Sequence, residues 1–200
     1  PQVPTVDEKI NFTIRQDTLK SMIEQTIFAV AVNDFKPVHT GSKFIIKDHV
    51  LSVVSVDGFR LAIRKEQVGY GDELDFIVPG KTLSEVAKLL DGDEDPLIAL
   101  SQKHIIFRVG RYDVVSRLLE GDFIDFRASI PVNSNTVVEV KVRDFLNSID
   151  RTSLLINDRL KSPIRLSIGN GEIKISCSTA LGKISDVVEC NIKGENVDMG

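Results

Sequence analysis

VVEVKVRDFLNSIDRTSLL, residues 137–155, repeats a pattern found near the start of the chain, INFTIRQDTLKSMIEQTIFAV at residues 10–30. Each stretch opens with alternating apolar residues, typical of a half-buried strand, and continues with apolar residues spaced like one face of a helix. At an offset of 126 positions, Leu19 corresponds to Phe145 and Ile23 to Ile149. This period is too long for a solenoid repeat, so the pattern predicts two copies of one domain.

A second internal similarity supports the repeat, because PIRLSIGNGEIKISCS (163–178) resembles SKFIIKDHVLSVVS (42–55). Between the copies, RASIPVNSNT (127–136) is polar and contains Pro and Asn, which favours a boundary. We therefore expect a linker or arm over 1–9, a complete domain over 10–130 and a partial domain over 131–200. The partial copy is expected to hold a strand, a helix and three strands, which makes the chain a fragment.

Apolar spacing predicts two amphipathic helices in the complete domain, over residues 17–29 and 81–90. Asp17 is expected to accept hydrogen bonds from the first free backbone N–H groups of its helix. The predicted class is α+β, with more strand than helix. Strands are predicted over 10–14, 43–47, 50–56, 60–64, 74–78, 97–100, 104–109 and 112–118.

Composition excludes some classes of function. The 200 residues carry a formal net charge of −4, and no basic block is present, which argues against a tight sequence-specific nucleic-acid binder. No apolar run is long enough to span a membrane. We expect a cytoplasmic protein, with Cys177 and Cys190 as buried thiols, although a disulfide between adjacent strands is an alternative.

No motif in the chain predicts catalysis or metal binding. The histidines lack the spacing of metal ligands, and no nucleophile, zinc-protease or phosphate-loop signature is present. The acidic run 91–96 fails as a calcium loop, because Pro96 stands where Gly is needed and Gln102 where a bidentate Glu is needed. We therefore expect a non-catalytic protein without a cofactor or metal.

The stretch SVDGFRLAIRK (55–65) has Asp57-Gly58 between two apolar runs, which predicts a hairpin. With its surroundings it resembles the bacterial β sliding clamps, the processivity subunits of DNA polymerase III, from Ile10 to Gly200. The motifs that carry the resemblance are DTLKSMIEQTIFAV (17–30), SVDGFRLA (55–62), VPGKTLSEVAKLL (78–90), SRLLEGDF (116–123), the restart at 137–155 and GNGEIKISCST (169–179).

The resemblance implies the DNA-clamp fold, in which repeated domains of two helices pack on antiparallel sheets. The chain would be the middle domain and the first half of the third. The full-length protein would be a homodimeric ring around duplex DNA, and this fragment would be monomeric. Its expected partners are DNA, bound without sequence preference, and DNA polymerase III, the clamp loader and repair proteins, bound through short hydrophobic peptides. No membrane contact is expected.

The resemblance also places the partner-peptide pocket at the Asp57-Gly58 turn. Leu61 would form an apolar wall, and Arg60 would present its guanidinium to a peptide. Five of these positions depart from the residues common in the family: Val56, Phe59, Ile124, Ala128 and Ser129. The full predicted set is Val56, Gly58, Phe59, Arg60, Leu61, His39, Thr40, Ile124, Ala128 and Ser129.

DNA-facing residues are expected on the helices and on the loop after the first helix. Positive side chains there would give a salt-sensitive attraction to phosphates. The alternative is that they are ordinary solvated charges, since acidic residues are interleaved with them. The predicted set is Lys20, Asn33, Lys36, Lys81, Lys88, Arg143 and Arg151.

Two other readings of the whole chain stay open at this point. One is a stand-alone β-rich module that binds peptides or proteins without surrounding DNA. The other is an enzyme of an unusual class, for which the sequence nominates no substrate.

Overall fold

The computed structural model describes residues 8–32, 36–156 and 163–200. The chain divides into two compact units, unit 1 up to Ser129 and unit 2 from Ile130. The division falls inside the polar stretch 127–136.

Unit 1 contains eight strands and two α-helices among its described residues, with short 3₁₀ turns at Ile27–Ala29, Pro37–Thr40 and Phe126–Ser129. The order along the chain is β1 Ile10–Thr13, α1 Gln16–Glu24, β2 Gly41–Lys47, β3 Val50–Val56, β4 Leu61–Gln67, β5 Leu74–Pro79, α2 Gly80–Leu89, β6 Leu97–Leu100, β7 His104–Val109 and β8 Tyr112–Arg117.

The strands of unit 1 form two antiparallel sheets, in the orders β4-β3-β2-β5 and β8-β7-β6-β1. Each sheet takes three consecutive strands from one half of the unit and the first strand from the other half. The unit is thus two strand–helix–three-strand halves that exchange their first strands. Leu19 in α1 corresponds to Leu83 in α2, and Met22 to Val86. The repeat is therefore half as long as the sequence period predicted.

Both helices bury one apolar face in the core of unit 1. Leu19, Met22 and Ile23 of α1 are fully buried, as are Leu83 and Val86 of α2. The sheets contribute Phe44, Val53, Ile98 and Phe107 to the same cluster. Burial of this apolar area is the main force that holds the halves together.

The start of α1 differs from the prediction. The helix begins at Gln16, so Asp17 lies in its first turn, where its Oδ1 accepts from Thr18 N at 2.6 Å. The cap comes from the loop after α2, where Asp95 Oδ1 accepts from Gln16 N at 3.0 Å. The Gln16 side chain also donates to the Glu94 carbonyl and accepts from Gly92 N. One half of unit 1 thus caps the helix of the other.

The end of α1 is also earlier than predicted. The helix stops at Glu24 and a 3₁₀ turn follows at Ile27–Ala29. Thr26 Oγ1 donates to the Met22 carbonyl at 2.7 Å. A threonine hydroxyl that competes for a helix carbonyl favours a break in the regular ladder.

Unit 2 repeats the first half of unit 1. The five strands among its described residues form one antiparallel sheet in the order β13-β10-β11-β12-β9. Four of these strands follow the helix rather than the three predicted, because Val197–Met199 pairs with the edge of Leu166–Ile168. The elements are β9 Thr136–Val140, α3 Val142–Ser153, β10 Arg165–Gly169, β11 Glu172–Thr179, β12 Gly182–Gly194 and β13 Val197–Met199.

The core of unit 2 is smaller. Ile173, Ile175 and Val188 are buried against the half-buried Phe145 and Ile149 of α3. Both cysteines are free thiols; Cys177 is buried, as expected, whereas Cys190 is only half-buried. Burial raises the pKa of the Cys190 thiol, and nearby Glu172 adds to the shift. A disulfide between them is absent.

Candidate functional site

The turn between β3 and β4 is a four-residue loop, residues 57–60, because Val56 pairs with Leu61. Asp57 N donates to the Arg60 carbonyl at 3.0 Å. Asp57 Oδ1 accepts from Phe59 N at 2.9 Å and from Arg60 N at 2.7 Å. The hairpin prediction is confirmed, and the Asp57 side chain is what organises it.

Arg60 is held by the same aspartate. Its Nε and Nη2 donate to Asp57 Oδ2 at 2.9 and 2.6 Å. The adjacent guanidinium holds the pKa of the Asp57 carboxyl below its usual range, with help from the Phe59 N–H. The sequence suggested that the Arg60 fork would be open to a ligand, whereas two of its nitrogens are engaged within the turn.

Gly58 leaves space beside the turn but supplies no special backbone conformation. Its φ is not positive, so the turn does not need glycine for its backbone conformation. A Cβ added at this position would meet no atom within 4 Å. The open space beside Gly58 is the feature that favours close approach of a ligand.

Apolar groups flank the turn. Phe59 is fully exposed, Leu61 is half-buried and Val56 is buried at the end of β3. A single exposed apolar residue is common on protein surfaces, but here Phe59 adjoins Leu61 and Val56 at one end of the hairpin. This turn therefore supplies an apolar surface with a fixed backbone.

The loop of His39 and Thr40 reaches the same end of the sheet. Ser42 and Ser55 share a buried hydrogen bond of 2.7 Å, which joins the start of β2 to the end of β3. Thr40 Oγ1 donates to the Pro37 carbonyl at 2.7 Å and closes the 3₁₀ turn before β2. The His39 ring meets the Phe123 ring edge-on, with centroids 5.8 Å apart.

The segment after β8 supplies the remaining predicted pocket residues. Leu119 N donates to the Ile77 carbonyl, which ties this segment to β5. Ile124 is 45% exposed, and Ala128 and Ser129 lie exposed on the 3₁₀ turn Phe126–Ser129. Among the described residues, no hydrogen bond, ion pair or ring contact joins these three to the Asp57 turn.

Phe123 was missed by the sequence reasoning. Its ring contacts His39 and also faces the Lys43 ammonium, 5.8 Å from the ring centroid. Lys43 in turn pairs with Asp75 at 3.0 Å. The aromatic residue in the predicted motif SRLLEGDF was the available signal, but only the fold shows which loop it supports.

The predicted DNA-facing cations fall into two groups. Three have acidic neighbours: Lys20 lies 4.0 Å from Asp91, Lys88 lies 2.9 Å from Glu85, and Arg151 Nε donates to Asp186 at 2.8 Å. Lys81 and Arg143 are exposed and have no ion pair within the described part of the chain. Acidic neighbours thus reduce the free positive charge of these helices, although only Glu85 lies on the same helix as its partner.

Two predicted positions belong to the loop after α1. Lys36 is exposed, and its carbonyl accepts from His39 N at 3.1 Å. Asn33 lies outside the described residues. The structure therefore places Lys36 beside the loop of His39 and Thr40.

Two kinds of feature are absent from the described part of the chain. Over 8–32, 36–156 and 163–200, no helix is long and apolar enough to cross a membrane. Within those same ranges, no group of three or more His, Cys, Asp or Glu side chains could hold a metal ion.

Comparison with known families accounts for nearly the whole chain. Residues 13–125 match the central domain of the DNA polymerase III β subunit, and residues 127–200 match the C-terminal domain of the same subunit. The chain belongs to the DNA polymerase III β-subunit family. The resemblance that the sequence motifs suggested is confirmed, and so is the α+β clamp fold.

Relatives of this β-subunit family chain are named beta sliding clamps. The chain is 36% identical over 203 residues to the protein of Staphylococcus epidermidis, covering 98% of this chain and 53% of the relative. It is 32% identical over 205 residues to the Bacillus subtilis protein, covering 100% of this chain and 54% of that one. The chain thus spans about half the length of the curated relatives that it matches.

Solved structures of this family match the fold closely. The Bacillus subtilis DNA polymerase sliding clamp superposes with a TM-score of 0.92 at 30% identity, covering 99% of this chain and 54% of that chain. The Pseudomonas aeruginosa DnaN sliding clamp, solved bound to griselimycin, gives a TM-score of 0.88 at 29% identity, covering 100% and 55%.

Proposed function

We propose that this chain forms part of a non-catalytic sliding clamp that encircles duplex DNA and tethers a replicative polymerase. The observation that carries the proposal is the uninterrupted succession of a central and a C-terminal β-subunit domain along the chain. In this assignment residues 1–9 are a linker, 10–130 the complete middle domain and 131–200 the first half of the third. The protein would act in the cytoplasm.

The partner site is proposed at the Asp57 turn of unit 1. The fixed backbone, the exposed Phe59 and the open space at Gly58 support binding of a short hydrophobic peptide. The loop of His39 and Thr40 and the segment with Ile124, Ala128 and Ser129 would flank it. Polymerase III, the clamp loader and repair proteins are the proposed sources of such peptides.

A peptide titration tests this site. We expect a fluorescent peptide of the Gln-Leu-x-Leu-Phe type to bind the chain, and Arg60→Ala or Leu61→Ala to weaken it at least several-fold. Arg111→Ala, an exposed arginine on the β7–β8 hairpin of the same unit, is the matched control. Melting curves check that each variant is folded. Unchanged affinity in both turn variants would remove the site assignment.

DNA contact is proposed to be weak and independent of sequence. Lys20, Lys36, Lys81, Lys88, Arg143 and Arg151, with Asn33, would face the duplex, but a ring acts by topology and needs few phosphate contacts. A gel shift at physiological salt is therefore expected to show little complex. Submicromolar binding by this chain would contradict a role that depends on encirclement.

The oligomeric state of this chain in solution is a further test of the clamp proposal. The full-length protein is proposed to be a homodimer, and this chain a monomer. Light scattering at low concentration is expected to give the monomer mass. A mass near twice that value would contradict the expected monomer.

A further inference from the structure

The two oxygens of the Asp57 carboxylate accept hydrogen bonds from different groups. Oδ1 accepts from the backbone N–H groups of Phe59 and Arg60, so it fixes the path of the turn. Oδ2 accepts from Nε and Nη2 of the Arg60 guanidinium, so it fixes a side chain and cancels its charge. The Asp57 side chain is only 15% exposed, whereas that of Arg60 is 53% exposed.

This arrangement decides what a ligand meets at the turn. A free guanidinium attracts carboxylates and binds them through two parallel hydrogen bonds. Here that pair of donors already has a carboxylate partner from the same loop. Two other cations of the sheet, Lys43 and Arg64, are likewise paired, with Asp75 and Glu66. The surface at the turn therefore combines the exposed Phe59 and the half-buried Leu61 with a guanidinium whose charge is already balanced.

We propose that Asp57 is a specificity-determining residue of the peptide site, which holds Arg60 and so makes the turn select neutral apolar peptides over acidic ones. The proposal rests on the proposed function of the turn as a peptide site. Asp57 acts through Arg60 and the backbone, so its role is that of a positioning residue. An acidic peptide meets a guanidinium whose charge Asp57 already balances, so it gains less from Arg60 than it would from an unpaired arginine.

The substitution Asp57→Asn separates the ordering of the turn backbone from the pairing with Arg60. The Asn carbonyl oxygen can still accept from the two backbone N–H groups, as in an Asx turn. The anionic partner of Arg60 is lost, so the guanidinium becomes available to the ligand. Asp48→Asn removes the same charge from the turn at the other end of β3 and is the matched control. Asp48 has a φ of 51°, a conformation that Asn tolerates well.

The experiment measures the affinity of each variant for two peptides, a neutral Gln-Leu-x-Leu-Phe type and a version with Glu at x. We expect Asp57→Asn to bind the acidic peptide about three- to five-fold more tightly than the wild type, the size typical of one exposed charge pair. Affinity for the neutral peptide is expected to change less than two-fold. Asp48→Asn is expected to leave both affinities unchanged.

Two further measurements distinguish this role from a purely structural one. Adding Arg60→Met to Asp57→Asn removes the cation and is expected to abolish the gain for the acidic peptide. High salt is expected to reduce that gain, since exposed charges are screened. Melting curves of all variants show whether the fold is intact.

The outcomes have separate meanings. If the wild type binds neither peptide, the proposed function fails. If the wild type binds the neutral peptide and Asp57→Asn weakens both peptides equally, Asp57 only shapes the turn and the inference is overturned. An equal gain for both peptides, or a gain that survives Arg60→Met, overturns it as well.

Discussion

Single residues in this chain act through neighbours that their sequence positions only partly reveal. The Asp57-Gly58 pair predicted a turn, and a turn is present. The reason differs, however, because Asp57 accepts the hydrogen bonds that order the loop while Gly58 adopts no conformation reserved for glycine. The peptide site was proposed from the resemblance of the turn motif to the family, whereas the pairing of Arg60 depends on side-chain geometry.

Leu19 is a suitable residue for testing how much burial contributes to the free energy of unfolding. Its side chain is fully buried in the core of unit 1. We expect Leu19→Ala to lower the free energy of unfolding by about 2–5 kcal/mol, through lost burial and a residual cavity. Val32→Ala, at an 88% exposed position of the same unit, is the control and is expected to change it by less than about 0.5 kcal/mol. Urea unfolding measures both, and equal effects would contradict the assigned core.

At the scale of elements, the start of α1 is stabilised by a distant loop. Residues that cap a helix usually precede it directly, and Arg15 at that place offers no side-chain cap. Asp95, 79 positions away, accepts the Gln16 N–H instead. Helix propensity and local capping patterns therefore mislocate the cap, whereas apolar spacing still predicts the helix.

Asp95→Ala tests this contact between the halves. Losing the cap should lower the stability of unit 1 by about 1 kcal/mol. Asp93→Ala, in the same loop, forms no hydrogen bond or ion pair within the described ranges and is the control. Thermal or urea unfolding followed by circular dichroism compares them. If both substitutions lower the stability equally, Asp95 acts only through its charge and not through the hydrogen bond to Gln16.

The pairing of α3 with β12 should respond to acid. The Arg151 guanidinium holds the pKa of the Asp186 carboxyl below its usual range. A carboxyl with a lowered folded-state pKa stabilises above its unfolded pKa, and this contribution is lost as pH falls through the folded value. We expect the stability difference between wild type and Asp186→Asn to be full near neutrality and to shrink below pH of about 4. Urea unfolding at several pH values measures it, and a constant difference would contradict the pairing.

At the scale of the whole molecule, the two units differ in how much apolar surface they bury. The core of unit 1 contains Phe44, Phe107 and Leu83, whereas that of unit 2 depends on a few residues such as Ile175 and Val188. Leu146 and Leu154 of α3 and its neighbourhood are more than half exposed. Burial is the main source of stability, so the units should open separately.

Hydrogen exchange on the intact chain tests this difference. We expect backbone amides in β2, β3 and β7 to exchange more slowly than those in β10 and β11. The ordering follows from the larger core that unit 1 must expose before those amides reach water. Mass spectrometry of peptides from each strand gives the rates. Equal protection in both units would indicate one cooperative structure.

The sequence by itself determined the kinds of element, their approximate bounds and a division near residue 130, because apolar periodicity and turn residues are local signals. The family followed from the resemblance of its motifs. Tertiary structure decided which strands are exchanged between halves: β1 pairs with β6, and β5 with β2. It also decided that Asp95 caps α1 and that Asp57 holds Arg60. Such contacts depend on geometry between groups that share no local pattern, and only the packed chain brings those groups together.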